Sequence, residues 1–281
     1  MKKLLLATAF TLLFPALVLA HQPRLTEEVQ TVVTDPEISK AYYGELEGSP
    51  HEYAISSDKD FTLYVNILTP DIQGQQKDIS AVIIKDNDSE NPLTTLNGTD
   101  FKWTQFFEPF GHDSYWKGPE FKIPAEPGDY KILVSSTNNN SKYSLAIGEI
   151  ESFDLKETVN AITLIPKIKS DFFEESPAGF IFSPFGLGLI FVMFVLSFAF
   201  GFLYRLILKH LTKNAVRKVH KNIGKKDRLL RAAIGIILFV WAITTSWSPL
   251  LLFFSGFTFF EAIFSWCGFY AAIGRNSCPI N

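Results

Sequence analysis

Two kinds of hydrophobic spacing divide the chain. Between residues 51 and 149 the apolar residues come in short β-branched and aromatic runs, at 61–68, 79–84, 120–123, 130–134 and 143–147. Asp, Asn, Gly and Pro separate these runs, as between the strands of a two-sheet sandwich. From 176 to 204 the pattern changes, with 29 consecutive uncharged residues, enough for a helix across a hydrocarbon layer. A second uncharged stretch, 232–260, is interrupted by Ser246, Trp247, Ser248 and Pro249. Proline does not continue a helix comfortably, so two helices joined by a turn are expected, over about 229–245 and 249–272. Trp241 and Trp247 would then lie near the interface, where indole rings prefer to be.

The expected fold class is an all-β extracytoplasmic sandwich, jelly-roll or Ig-like, followed by an α-helical membrane domain with three transmembrane helices. Residues 1–20 read as a signal peptide: Lys2 and Lys3 supply the positive start, 4–19 the apolar stretch, and Ala20 the cleavage position. The sandwich is expected over 21–150 and a juxtamembrane helical linker over 151–184, with Ser152 as a helix N-cap. The first span follows at 185–208, a basic cytoplasmic loop at 209–228, the transmembrane hairpin at 229–273 and a tail at 274–281.

Charge assigns the sides. The net charge of −3 conceals a division: residues 21–183 hold 27 acids against 13 bases, whereas 205–231 hold 10 bases and one acid, Asp227. Basic residues remain on the cytoplasmic side of a membrane, so the connector faces inward and the sandwich outward, in the inner membrane of a bacterium. Within the connector Leu211, Ala215, Val219 and Ile223 recur at helical spacing, suiting a helix on the inner leaflet. The lipid bilayer is thus one partner, and Arg228 and Arg231 are expected to reach its phosphates. The acidic exported part repels phosphate backbones, which argues against nucleic acid.

Candidate chemistry is sparse. Trp103, Phe106, Phe107, Phe110, Tyr115, Trp116 and Phe121 crowd 19 residues, too many for strict alternation to bury. Trp103, Phe107, Phe110, Tyr115 and Trp116 are the candidate contacts for a protein partner or small ligand on the outer side, with sandwich core as the plain alternative. His21, as a mature N-terminus, could chelate Cu(II) through its imidazole and amine, with His51 or His112 as a third ligand. Asp86, Asp88 and Glu90 alternate like Ca²⁺ ligands but read better as a solvated turn. Cys267 and Cys278 are expected at the reducing end of the third span. They are either buried small residues or a redox, sulfur or metal-handling pair, and a homodimer would bring four thiolates together. Glu261, the one intramembrane acid, is expected to face another helix or Ser255. No catalytic triad, phosphate loop or complete metal motif is present. A non-enzymatic binding or accessory protein without a cofactor is therefore expected, a metal ion being the one alternative, with redox, sulfur or metal handling as the rival function.

Two segments resemble known families. Asn222, Gly224, Asp227, Arg228, Arg231 and Gly235, followed by the closing segment from Cys267 to Cys278, are similar to the two-helix YgaP-like transmembrane domain over residues 221–279. Gly268 stands where that family usually has Pro. The resemblance implies a bacterial inner-membrane setting. Pro127 to Ser136 and Lys142 to Gly148 resemble the last two strands of jelly-roll sandwiches similar to pre-peptidase C-terminal domains, which implies a fold.

Overall fold

The computed structural model describes residues 21–211 and 221–278, so the leader expected at 1–20, most of the leaflet-helix residues and the end of the tail lie outside it. The chain divides into two units, one ending at Gly179 and one beginning at Phe180.

The first unit is a β-sandwich. One sheet has six strands in the order β1 (Gln22–Leu25), β3 (Lys40–Glu45), β11 (Lys142–Ile147), β5 (Phe61–Pro70), β9 (Asp113–Ala125) and β8 (Thr104–Glu108). The other has five, in the order β2 (Gln30–Val33), β4 (His51–Ser57), β10 (Gly128–Ser135), β6 (Ser80–Lys85) and β7 (Thr94–Leu96). Alternation along the strands sends one set of side chains inward. Leu63, Val65, Ile67 and Leu145 of the first sheet meet Ile55, Ile83, Ile132 and Val134 of the second in a shared core. At about 25 cal/mol per Å² of apolar surface, such burial is the main term holding a disulfide-free sandwich together.

The segment 127–149 is not a hairpin. β10 pairs with β4 and β6, and β11 with β3 and β5, so the intervening turn carries the chain from one sheet to the other. Asn139 takes a left-handed conformation there, which asparagine tolerates better than most residues.

The expected linker helix packs back onto the sandwich. α1 (Leu155–Lys167) starts at Asp154 rather than Ser152, because the Asp154 carboxylate accepts the Glu157 amide at 2.8 Å. Its buried stripe of Ala161, Ile162 and Ile165 runs into a π-helical turn, Ile168–Phe172, just after Pro166 has removed one helical donor. Ile168, Phe172 and Phe173 pack with Leu68, Tyr115 and Ala146 on the outward face of the six-stranded sheet. The unit therefore has a helical third layer with its own small core.

The second unit is helical: α2 (Pro184–Leu211), α3 (Lys225–Thr244), α4 (Pro249–Phe264) and the short α5 (Gly268–Ile273). By length and apolarity α2 is the one described helix able to cross a bilayer. α4 spans only about 24 Å at 1.5 Å per residue. α3 opens with Lys225, Lys226, Asp227, Arg228 and Arg231. α4 packs against both α2 and α3. Gly201 allows α4 to approach closely, since a Cβ there would lie 2.5 Å from the Phe260 ring.

Three expectations need correcting. The stretch 249–272 is not one helix, because Ser265 turns left-handed and ends α4. Trp247 is fully buried against Phe180, with ring centroids 4.9 Å apart, so it packs inside this unit, whereas Trp241 is exposed. Ile223 is buried as well, and its amide donates to the Ser265 carbonyl, so it cannot lie on a leaflet.

Candidate functional site

Beneath the helical cap of the first unit is a partly open cavity of about 150 Å³. Its floor is the outward face of the six-stranded sheet, where Tyr43 of β3, Asn66 of β5, Ser144 of β11 and Tyr115 of β9 point away from the sandwich core. Ile165 and Ile168 form the roof, while Phe106, Phe110 and His21 contribute to the wall.

Charge is concentrated on one side. Asp113, the first residue of β9, is buried and receives the Lys169 ammonium from the π-turn at 2.5 Å. Lys169 itself is 0% exposed, so this ion pair is sealed from water and ties the cap to the sheet. Burial pushes the Asp113 carboxyl up to about 7, against the downward pull of Lys169. Glu108, at the end of β8, accepts the Phe110 amide at 2.7 Å and the Gly111 amide at 2.6 Å, closing the turn. Burial raises its pKa too, with those two amides opposing. Both carboxylates meet at Gly111, where an added Cβ would lie 2.2 Å from Asp113 Oδ2 and 3.2 Å from Glu108 Oε2. The Tyr43 and Tyr115 hydroxyls share a 2.9 Å hydrogen bond, and burial drives both phenols upward. Asp113 with Lys169, and Tyr43 with Tyr115, thus hold each other in fixed geometry.

The five aromatic candidates do not form one exposed platform. Phe110 and Tyr115 are buried and line the cavity. Phe107 is 51% exposed and meets the His112 ring edge-on, with centroids 5.0 Å apart. Trp103 covers Gly118 and donates its indole N–H to the Gly98 carbonyl at 2.8 Å, which makes it a packing residue. Trp116 donates to Asp71 at 2.8 Å beneath the Lys77 ammonium, 3.1 Å from the ring centroid.

His21 Nδ1 is bonded to the Ser39 hydroxyl, and burial lowers its pKa. His51 bonds through Nδ1 to the Tyr143 hydroxyl at 2.7 Å. Among the described residues no three His, Cys, Asp or Glu side chains are grouped to hold a metal.

In the helical unit polar groups cluster near the α4–α5 break. Asn222 donates to the Cys267 carbonyl at 2.8 Å and accepts the Cys267 amide at 2.7 Å. Its backbone carbonyl also accepts the Ser277 amide at 3.1 Å. Arg228 donates through Nε to the Ala262 carbonyl at 2.9 Å while the residue stays exposed, and Arg231 pairs with Glu261 at 2.5 Å. Glu261 lies one turn from the end of α4 and has Arg231 as partner; the Ser255 hydroxyl donates instead to Gly235. Cys267 is buried beside Glu261, Cys278 is half-buried, and both are free thiols.

Sequence reasoning did not single out Glu108, Asp113, Lys169, Tyr43, Asn66 or Ser144. In sequence Lys169 stands among Lys167, Ser170 and Asp171, so nothing local marked it as buried.

No functionally curated protein matches the sequence. Among solved structures, the pre-peptidase C-terminal domain of collagenase from Bacillus anthracis is similar at 15% identity with a TM-score of 0.28, over 44% of this chain and 95% of that one. CorA, a surface-associated copper-binding protein important in copper acquisition by Methylomicrobium album BG8, matches at 11% identity and a TM-score of 0.23, over 45% and 98% of the two chains. A β-glucosidase from Paenibacillus barengoltzii matches at 10% and 0.22, over 45% of this chain and 13% of that one. In the helical unit, residues 219–281 match the family described as the inner membrane protein YgaP-like transmembrane domain, and that part of the chain is thereby identified as a membrane domain of this type.

Proposed function

We propose that this protein is a membrane-anchored, non-enzymatic binding or accessory protein of a bacterial envelope, whose sandwich unit holds a small ligand on the outer side of the inner membrane. The observation that carries this reading is the cavity between the six-stranded sheet and its helical cap, with the buried Asp113 and half-buried Glu108 carboxylates, a tyrosine pair and apolar walls converging on about 150 Å³. In this reading α2, α3 and the α4–α5 segment make three crossings. The acidic sandwich then faces outward, and the connector at 209–228 and the C-terminus face the cytoplasm.

The test is native mass spectrometry of the full chain released from membranes in mild detergent. A bound small molecule should accompany the wild type and be lost from Ala146→Leu, which fills the cavity floor. A wild-type protein that carries nothing, and takes up nothing from an extract of the periplasm, would sink the reading.

A further inference from the structure

Resting on the reading of the cavity as a binding site, we propose that its ligand is a small organic cation, a primary ammonium compound of about six to eight heavy atoms. The hydrogen-bonding capacity left over in the cavity belongs mainly to acceptors. Asn66 directs its amide nitrogen at the Gly118 and Pro119 carbonyls, 3.4 and 3.3 Å away, which fixes the orientation and leaves Oδ1 for a donor. Lys169 occupies Asp113 Oδ1, and no hydrogen bond is directed at Oδ2 among the described residues. Each Glu108 oxygen accepts one amide and retains a second lone pair. Ser144 is 2% exposed and lines the cavity with its hydroxyl-bearing side chain.

The nearby cations are already engaged. Lys169 is spent on Asp113, and Lys117 pairs with Glu120 at 2.9 Å. A guest therefore meets acceptors and two carboxylates on one side and the rings of Tyr43, Tyr115, Phe106 and Phe110 around it. That combination favours a cation twice, through charge-assisted hydrogen bonds and through ring faces. An anion would be placed against Glu108 and Asp113, and a wholly apolar guest would leave the acceptors unsatisfied. The size follows from the cavity, since about 150 Å³ is the space that admits a molecule such as benzene.

The experiment uses the full chain in nanodiscs with three probes of one shape: benzylamine, benzyl alcohol and benzoate. Calorimetric titration should give saturable benzylamine binding at least tenfold tighter than benzyl alcohol, with benzoate weakest. Glu108→Gln should weaken benzylamine at least fivefold and leave benzyl alcohol unchanged. Ser144→Ala, a milder change that keeps the fold, should weaken benzylamine twofold to threefold if Glu108→Gln does not fold. Equal affinity for amine and alcohol, or a preference for benzoate, would overturn the cation and leave the binding reading standing. Failure of all three probes to bind at millimolar concentration would overturn both.

Discussion

The Asp113–Lys169 pair sets the clearest expectations at the scale of single residues. Lys169→Met leaves a buried carboxylate without its partner, so the sandwich unit should lose about 3–5 kcal/mol in urea unfolding followed by tryptophan fluorescence. Replacing both groups, Asp113→Leu with Lys169→Met, should recover most of that loss, because two buried charges are exchanged for apolar contacts. The pair also gives stability a pH dependence of definite sign. The Asp113 carboxyl lies near 7 in the folded chain against 3.8 for the free group, so its contribution is complete below about 4 and is lost as pH rises through 7. Glu108 acts in the same direction, and the lowered His21 and His51 in the opposite one. The readout is therefore the difference in slope between wild type and the double variant: the wild-type Tm should fall more steeply between pH 5 and 8. Parallel slopes would show that the carboxyl does not titrate there.

Among the elements, the α4–α5 break is held by one side chain. Asn222→Ala removes both side-chain bonds to Cys267, and that buried thiol should then react with maleimide in detergent while the wild-type thiol stays protected. Position 268 sets local preference against tertiary packing. Gly268 is the first residue of α5, where proline is favoured, yet a Cβ there would lie 2.0 Å from the Tyr204 ring. Gly268→Pro should thus lower the thermal stability of the helical unit, and Tyr204→Ala in the same chain should restore it. The elements themselves were unequally legible. β5, β6, β10 and β11 are rich in β-branched, aromatic and other apolar residues and could be read from period and composition. β2 and β8 are short and largely exposed, and β7 has three residues, so no alternation marked them. Helix α1 was legible as a helix but not as a cap, because its partner surface is built from strands more than a hundred residues apart in sequence. The site was hidden for the same reason. Tyr43, Asn66 and Ser144 look like ordinary outward strand positions until β3, β5 and β11 become neighbours and a helix covers them.

For the molecule as a whole, sidedness is the property on which the proposed function depends. A single cysteine placed at Lys131 on the sandwich, in a chain with Cys267 and Cys278 replaced by serine, should be labelled by a membrane-impermeant maleimide in intact spheroplasts. One placed at Lys225 should be labelled only after the membrane is opened, and the reverse pattern would invert the topology. The expected sidedness rests on the distribution of charge along the chain, whereas the joining of α3 to α4 by Arg231 and Glu261 had no signal there. That joint has a consequence for biosynthesis. Near the helix ends where they lie, each charge alone is the costlier state in lipid, while the 2.5 Å pair presents its charges neutralised by each other. A nascent chain ending after α3 should therefore hesitate at the translocon, and the two helices should enter the bilayer together as a hairpin once α4 has emerged from the ribosome.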